Sequence, residues 1–170
     1  MLQKYDIFKI LEPFLNEPSK GFHLRELSRL LKWGPGKVER NIRDFVERGI
    51  ILERKEKIFK IYRANKESED LKLLKLIYTL IKLQDLVIYL EKELNYPEAI
   101  ILFGSARRGE DDEDSDVDIC ILGREKELPL EKFEKDLNRR ISLLFLSKEK
   151  IDRLKNDDPE IVNNVLNGIV

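Results

Sequence analysis

The sequence predicts an α+β fold built as two small modules joined by a long helix, and three features predict it. Apolar residues recur at helical spacing as far as Phe45 and Val46, then switch to short strand-like runs after Gly49. One unbroken helical pattern occupies residues 71–94. Beyond it, two short apolar runs, residues 99–103 and 116–122, flank a polar loop.

Composition narrows the class. The chain has 170 residues with 42% apolar side chains, enough to bury a core. No apolar run nears the ~20 residues needed to span a bilayer. The first residues lack the basic segment and small-residue cleavage site of a signal peptide, so a cytoplasmic protein without membrane contact is expected. The single cysteine, Cys120, forms no intrachain disulfide and, in the apolar run 117–122, reads as a buried small hydrophobe. Charged residues reach 38%, mostly Lys, Glu and Arg, a balance expected of a thermophilic source. Residues 1–65 carry a charge of +6 and the remainder −7, as expected of two modules with different partners.

The elements follow in order. Tyr5, Ile7, Phe8, Leu11, Phe14 and Leu15 mark a first helix that stops near Pro18. After Gly21-Phe22-His23, the residues Leu24, Leu27, Leu30 and Leu31 mark a second, broken at Trp33-Gly34-Pro35-Gly36. His23 reads as a cap or packing residue and Trp33 as a lid on the helices. Val38, Ile42, Phe45 and Val46 mark a third helix, ended by Gly49. Ile50-Ile51-Leu52, a charged turn at 53–57 and residues 58–62 read as a β-hairpin.

Three helices and a hairpin, with a short turn between helices two and three, make a winged helix-turn-helix over residues 1–65. The stretch HLRELSRLLKWGPGKVERNIRDFVERGIILERKEKIFKIYRAN resembles the winged-helix domains of archaeal and bacterial transcription regulators, over about the first third of the chain. On that reading Lys37, Arg40, Asn41 and Arg43 of the third helix face double-stranded DNA, and Arg54, Lys55, Lys57 and Lys60 of the wing neutralise phosphates. The alternatives are an ordinary solvated face, since Glu39, Asp44 and Glu47 dilute the charge, or a protein-docking module.

Residues 66–95 form the connecting helix. Leu71, Leu74, Ile77, Leu80, Ile81, Leu86, Ile88, Leu90 and Leu94 line one side; Leu73, Leu76, Leu83 and Val87 make a second side apolar. Such a helix needs more cover than one small domain offers, so it packs between both modules or pairs with its copy in a homodimer through residues 71–94.

Residues 96–170 carry the chemistry. The run 99–103 is a buried strand that ends at Gly104-Ser105, and a partly helical loop with Arg107, Arg108 and Gly109 follows. Asp116 and Asp118 open a second strand, where positions i and i+2 share a face. Two adjacent carboxylates repel unless a cation bridges them, and hard oxygen ligands suit magnesium. Gly104 allows backbone approach to a phosphate, the Ser105 hydroxyl and helix-opening N–H groups hold triphosphate oxygens, and Arg107 or Arg108 adds positive charge.

Gly104-Ser105, ten residues, then Asp116-x-Asp118 in an apolar strand is the signature of the DNA polymerase β nucleotidyltransferase superfamily. The segment EAIILFGSARRGEDDEDSDVDICILG resembles most its minimal stand-alone members from archaea and bacteria. That resemblance implies a small mixed-sheet nucleotidyltransferase domain. Asp116 and Asp118 would be the catalytic, magnesium-holding residues, with a nucleoside triphosphate, ATP first among them, as substrate. An acceptor hydroxyl attacks the α-phosphorus and pyrophosphate leaves. Acceptors in the family include proteins, and some minimal members are antitoxins that adenylylate a partner toxin.

One position departs from the family. A third carboxylate is usual on a later strand, here residues 140–146, where Ser142 stands and no acid occurs from Leu137 to Lys148. Glu134 and Asp136 fall on the preceding helix, with Leu130, Phe133 and Leu137 on its apolar side. The tail, 148–170, reads as helical cover for the sheet. Two functions stay open: a transferase delivered to DNA by its winged helix, or a DNA-binding regulator whose transferase fold serves as nucleotide sensor or interaction surface.

Overall fold

A computed structural model describes residues 6–56, 58–157 and 159–170. It divides into two compact units, Met1–Lys75 and Leu76–Val170. The first begins with α1 (Asp6–Asn16), β1 (Gly21–His23), α2 (Leu24–Leu31) and α3 (Pro35–Glu47), followed by β2 (Ile51–Glu56) and β3 (Phe59–Ala64). Pro35 occupies the first turn of α3, where its missing N–H costs nothing. Gly49, at φ +70°, ends it: the Gly49 and Ile50 N–H groups return to the carbonyls of Val46 and Phe45 at 3.0 and 2.9 Å.

The strands differ from expectation in two places. β1 adds a third strand, in the antiparallel order β1-β3-β2, with Phe22 opposite Tyr62. The segment expected as a charged turn is mostly strand, because β2 runs to Glu56 with every side chain after Ile51 exposed. A strand wet on both faces shows no alternation, so its pattern imitates a turn. Ile10, Phe14, Leu15, Phe22, Leu27, Val38, Ile42 and Tyr62 fill the core of this unit, with the Phe14 and Phe22 rings edge to face at 5.1 Å.

The helix α4 (Glu69–Glu93) continues into the second unit. There the elements are β4 (Ala99–Phe103), α5 (Gly104–Arg108), β5 (Val117–Leu122), α6 (Glu131–Leu137), β6 (Ile141–Leu146), α7 (Lys148–Asp157) and α8 (Pro159–Leu166). The sheet has order β4-β5-β6, with β4 antiparallel and β6 parallel to the central β5. One face packs Leu102, Ile119, Ile121 and Ile141 under Leu83, Leu86 and Leu90 of α4. The other packs Ile101, Cys120 and Leu146 against Val165, Ile151 and Leu154. β5 is apolar on both faces because helices cover both. On α4, Leu73, Ile77 and Ile88 remain exposed. No described helix is long and apolar enough to cross a membrane.

The tail is helical as expected until Leu166, and then it changes. Ile169 bridges to Leu102, exchanging two backbone hydrogen bonds of 2.9 Å, and so covers the edge of β4. A side chain at Gly168 would collide with Ile101 and stand 2.7 Å from the Leu102 carbonyl oxygen. Gly168→Val is therefore expected to destabilise the second unit by about 1–3 kcal/mol, read as a lower thermal midpoint by circular dichroism. An unchanged midpoint would show that the bridge contributes nothing.

Candidate functional site

The end of β4 meets the start of β5, with Phe103 opposite Asp118. Gly104, at φ +72°, turns the chain from β4 into α5. A Cβ there would overlap the Asp118 carboxylate oxygen, so glycine is needed both for the backbone angle and for the carboxylate behind it. The sequence leads one to expect this glycine to let a phosphate approach; in the structure its missing side chain also makes room for Asp118.

Asp116 lies one residue before β5, exposed, and β5 starts at Val117 instead of at Asp116 as expected. The Val117 N–H donates to the Arg140 carbonyl at 2.9 Å, so the ladder still reaches this point. Ser142 is the β6 neighbour of Asp118, in the expected place of a third acid. Burial pushes the Asp118 carboxyl above its ordinary range and the charge of Asp116 adds to the push; a hydrogen bond with Ser142 acts in the opposite sense. Among the described residues no three His, Cys, Asp or Glu side chains converge on one metal position.

The loop before Asp116 is held from within. The Ser115 hydroxyl donates to the Asp112 carboxylate at 2.7 Å and accepts the Asp112 N–H at 3.0 Å. Asp111 is only 2% exposed and pairs with Arg139, itself nearly buried. Burial lowers the Arg139 pKa, and the Tyr78 side chain acts in the opposite sense. The Glu134 carboxylate, on the helix before β6, accepts the Ile141 N–H at 3.0 Å and anchors the start of that strand. Beside Asp116 a cleft of about 490 Å³ is lined by Glu113, Glu134, Asn138 and Arg140. Asp111, Arg139, Asp112 and Glu134 carry no mark in the sequence that separates them from solvated charges. Only Ser115, immediately before the acid pair, hinted at a structured loop.

The residues expected at phosphates all belong to α5 and differ in their surroundings. Ser105 lies half-buried in α5. Arg107 is half-buried, with a buried Nε that has no hydrogen-bond partner among the described residues. The Arg108 Nε is taken up by Glu110 at 2.7 Å. Cys120 is fully buried, and burial pushes its thiol up to about 11.

In the first unit Lys37, Arg40 and Arg43 are exposed on α3, and Arg54 and Lys55 on β2. Lys37 lies over the Trp33 ring, 3.9 Å from its centre. Asn41 donates one amide N–H to the Lys37 carbonyl at 2.8 Å. Lys57 lies outside the described residues. His23 precedes α2 without capping it through its side chain, and its ring packs edge-on against Phe59.

The raised Asp118 pKa has a consequence for stability. The folded chain holds this proton more tightly than the unfolded one, where the ordinary value is 3.8. That contribution is complete below the unfolded value and is lost as pH rises through the folded one. Asp118→Asn is expected to raise the thermal midpoint at neutral pH, with the gain shrinking in acid. A lower midpoint at neutral pH would contradict a destabilising carboxylate here.

No curated protein matches the chain. Among solved structures, one described as a possible transcriptional regulator from Methanosarcina mazei Go1 is 22% identical, over 54% of this chain and 76% of that one, with a TM-score of 0.36. Residues 85–168, which take in the later part of α4 and the whole of the mixed sheet, match the model of the nucleotidyltransferase domain family.

Proposed function

We propose that the second unit binds a nucleoside triphosphate, ATP as first candidate, together with magnesium, and that the first unit is a winged helix-turn-helix that binds double-stranded DNA. The observation that carries the nucleotide reading is the Asp118 carboxylate, packed on Gly104 with a second carboxylate two residues away. Asp116 and Asp118 are the residues that would hold the cation, and their mutual repulsion is what it would relieve. When bound, magnesium supplies charge neutralisation at the triphosphate. Two carboxylates suit a single ion whose shell is completed by water and phosphate oxygens.

The chain's own groups take the remaining roles. Ser105 and Arg107 would contact phosphate oxygens, whereas Arg108 would first have to leave Glu110. In the transfer reaction an acceptor hydroxyl oxygen bonds to the α-phosphorus, the bond to the β-phosphate oxygen breaks, and pyrophosphate leaves. The hydroxyl proton needs a base, and Ser142 cannot serve as a carboxylate would. The acceptor proposed is a partner protein, as in an antitoxin that modifies its toxin. Ser142 beside Asp118 also favours the second reading, a regulator that senses nucleotide without transferring it.

With magnesium present, nucleotide affinity measured by calorimetry is expected to fall about 10–100-fold in Asp116→Ala/Asp118→Ala. An α-phosphate-radiolabelled nucleotide separates the readings: label on an acceptor, lost in the double variant, supports transfer. Binding without label supports the sensor, and no binding sinks both.

For the first unit, exposed Lys37, Arg40, Arg43, Arg54 and Lys55 support phosphate contact. Duplex affinity should fall steeply with salt. In Arg40→Ala/Arg43→Ala the log–log slope should decrease by about two, roughly one for each lost phosphate contact. Salt-insensitive binding would turn the unit into a protein-docking module.

A further inference from the structure

The hairpin tip exposes two large apolar side chains side by side: Ile58 is 80% and Phe59 54% accessible. Nothing in the core of the first unit uses them. β1 stops at His23, paired with Ile61, so Phe59 and Lys60 project beyond it on one side while Glu56 and Lys55 pair with them on the other. The projection is held rather than loose. Phe59 packs edge-on against His23 at 5.9 Å, and Lys60 reaches Glu53 at 3.1 Å and Glu39 of α3 at 3.8 Å. The apolar tip therefore sits beside the helix whose exposed face carries Lys37, Arg40 and Arg43.

Behind the tip is a recess of about 620 Å³ lined by His23, Leu24, Arg25, Arg29, Ile58 and Phe59. Its one acid, Glu26, is paired with Lys20 at 3.3 Å. Arg25 and Arg29 have no carboxylate partner among the described residues. Arg54 and Lys55 lie exposed on the adjoining strand. An apolar projection flanked by uncompensated guanidinium groups suits a partner that is anionic outside and apolar within, which describes stacked bases between sugar–phosphate strands.

We infer that Ile58 and Phe59 enter the minor groove of duplex DNA as an apolar wedge that partly unstacks a base step, while Arg25 and Arg29 hold the flanking phosphates. The inference rests on the DNA-binding reading above and goes beyond it, because it assigns the wing a deforming role in addition to charge. Apolar contact releases no counterions, so the wedge contributes affinity that salt does not screen. Flexible pyrimidine–purine steps lower the cost of unstacking and are the preferred targets.

The test uses the full chain and a random-sequence duplex pool, together with duplexes carrying 2-aminopurine at a TA step. Wild type should bind and brighten the 2-aminopurine. Ile58→Ser/Phe59→Ser should bind about tenfold more weakly, the loss expected when a large apolar side chain stays in water. Its salt slope should be unchanged and its brightening lost. Ile58→Ser alone, at the more exposed position, should act in the same direction and guards against misfolding of the double variant. Arg25→Ala/Arg29→Ala should lower the slope. Wild-type binding and brightening in the wing variants would overturn the wedge and leave DNA binding standing. Absence of duplex binding by wild type would overturn both. Altered oligomeric state with unaltered DNA affinity would make the tip a protein contact and overturn the wedge.

Discussion

The carboxylate of Asp118 lies against the backbone of Gly104, closer than any side chain at that position would permit. Keeping two polar groups in this arrangement requires that the end of β4 and the start of β5 stay in register, Phe103 against Asp118. A slip of one residue would turn Asp118 towards the core and replace it at the surface by Val117 or Ile119. The rest of the second unit opposes that slip. α4 packs one face of the sheet, α7 and α8 the other, and Ile169 closes the β4 edge at Leu102, two residues before the glycine.

Negative charge is handled in two different ways around this point. Asp111 is withdrawn from water and paired with Arg139, which ties the acidic loop to the approach of β6. Breaking such a pair on one side leaves a buried charge and is far more costly than never having made it. Asp118 feels the charge of Asp116, and a hydrogen bond with Ser142 acts against that push. The loop and the start of β5 thus contain one buried carboxylate paired with an arginine and, five and seven residues on, two carboxylates whose like charges oppose each other.

The first unit divides its charges similarly. Lys60 is engaged with Glu53 and Glu39, Lys37 with the Trp33 ring, and Asn41 with the helix backbone. Exposed ion pairs of this kind add little stability, on the order of 0–1 kcal/mol each. Their value lies in orienting the hairpin beside α3. Arg40 and Arg43 remain exposed on α3, and the apolar tip at Ile58 and Phe59 remains in water.

Much of this was legible beforehand. Helical spacing located α1 to α4, and the switch of period after Gly49 located the hairpin, because one buried face leaves a periodic trace. The acid pair and the Gly-Ser turn were equally plain, since each is a local pattern. What left no trace was anything decided by a partner distant in sequence. β1 is too short to carry a period, and β2 is wet beyond Ile51, so neither reads as strand alone. Asp111 and Glu134 look like the solvated acids beside them, and Gly168 looks like a loop residue. Local chemistry by itself determined where carboxylates, glycines and apolar faces stand along the chain. Only the tertiary structure decided which carboxylate is buried against an arginine, which lies on Gly104 and which neighbour it meets, because burial and pairing depend on strands and loops that the sequence separates.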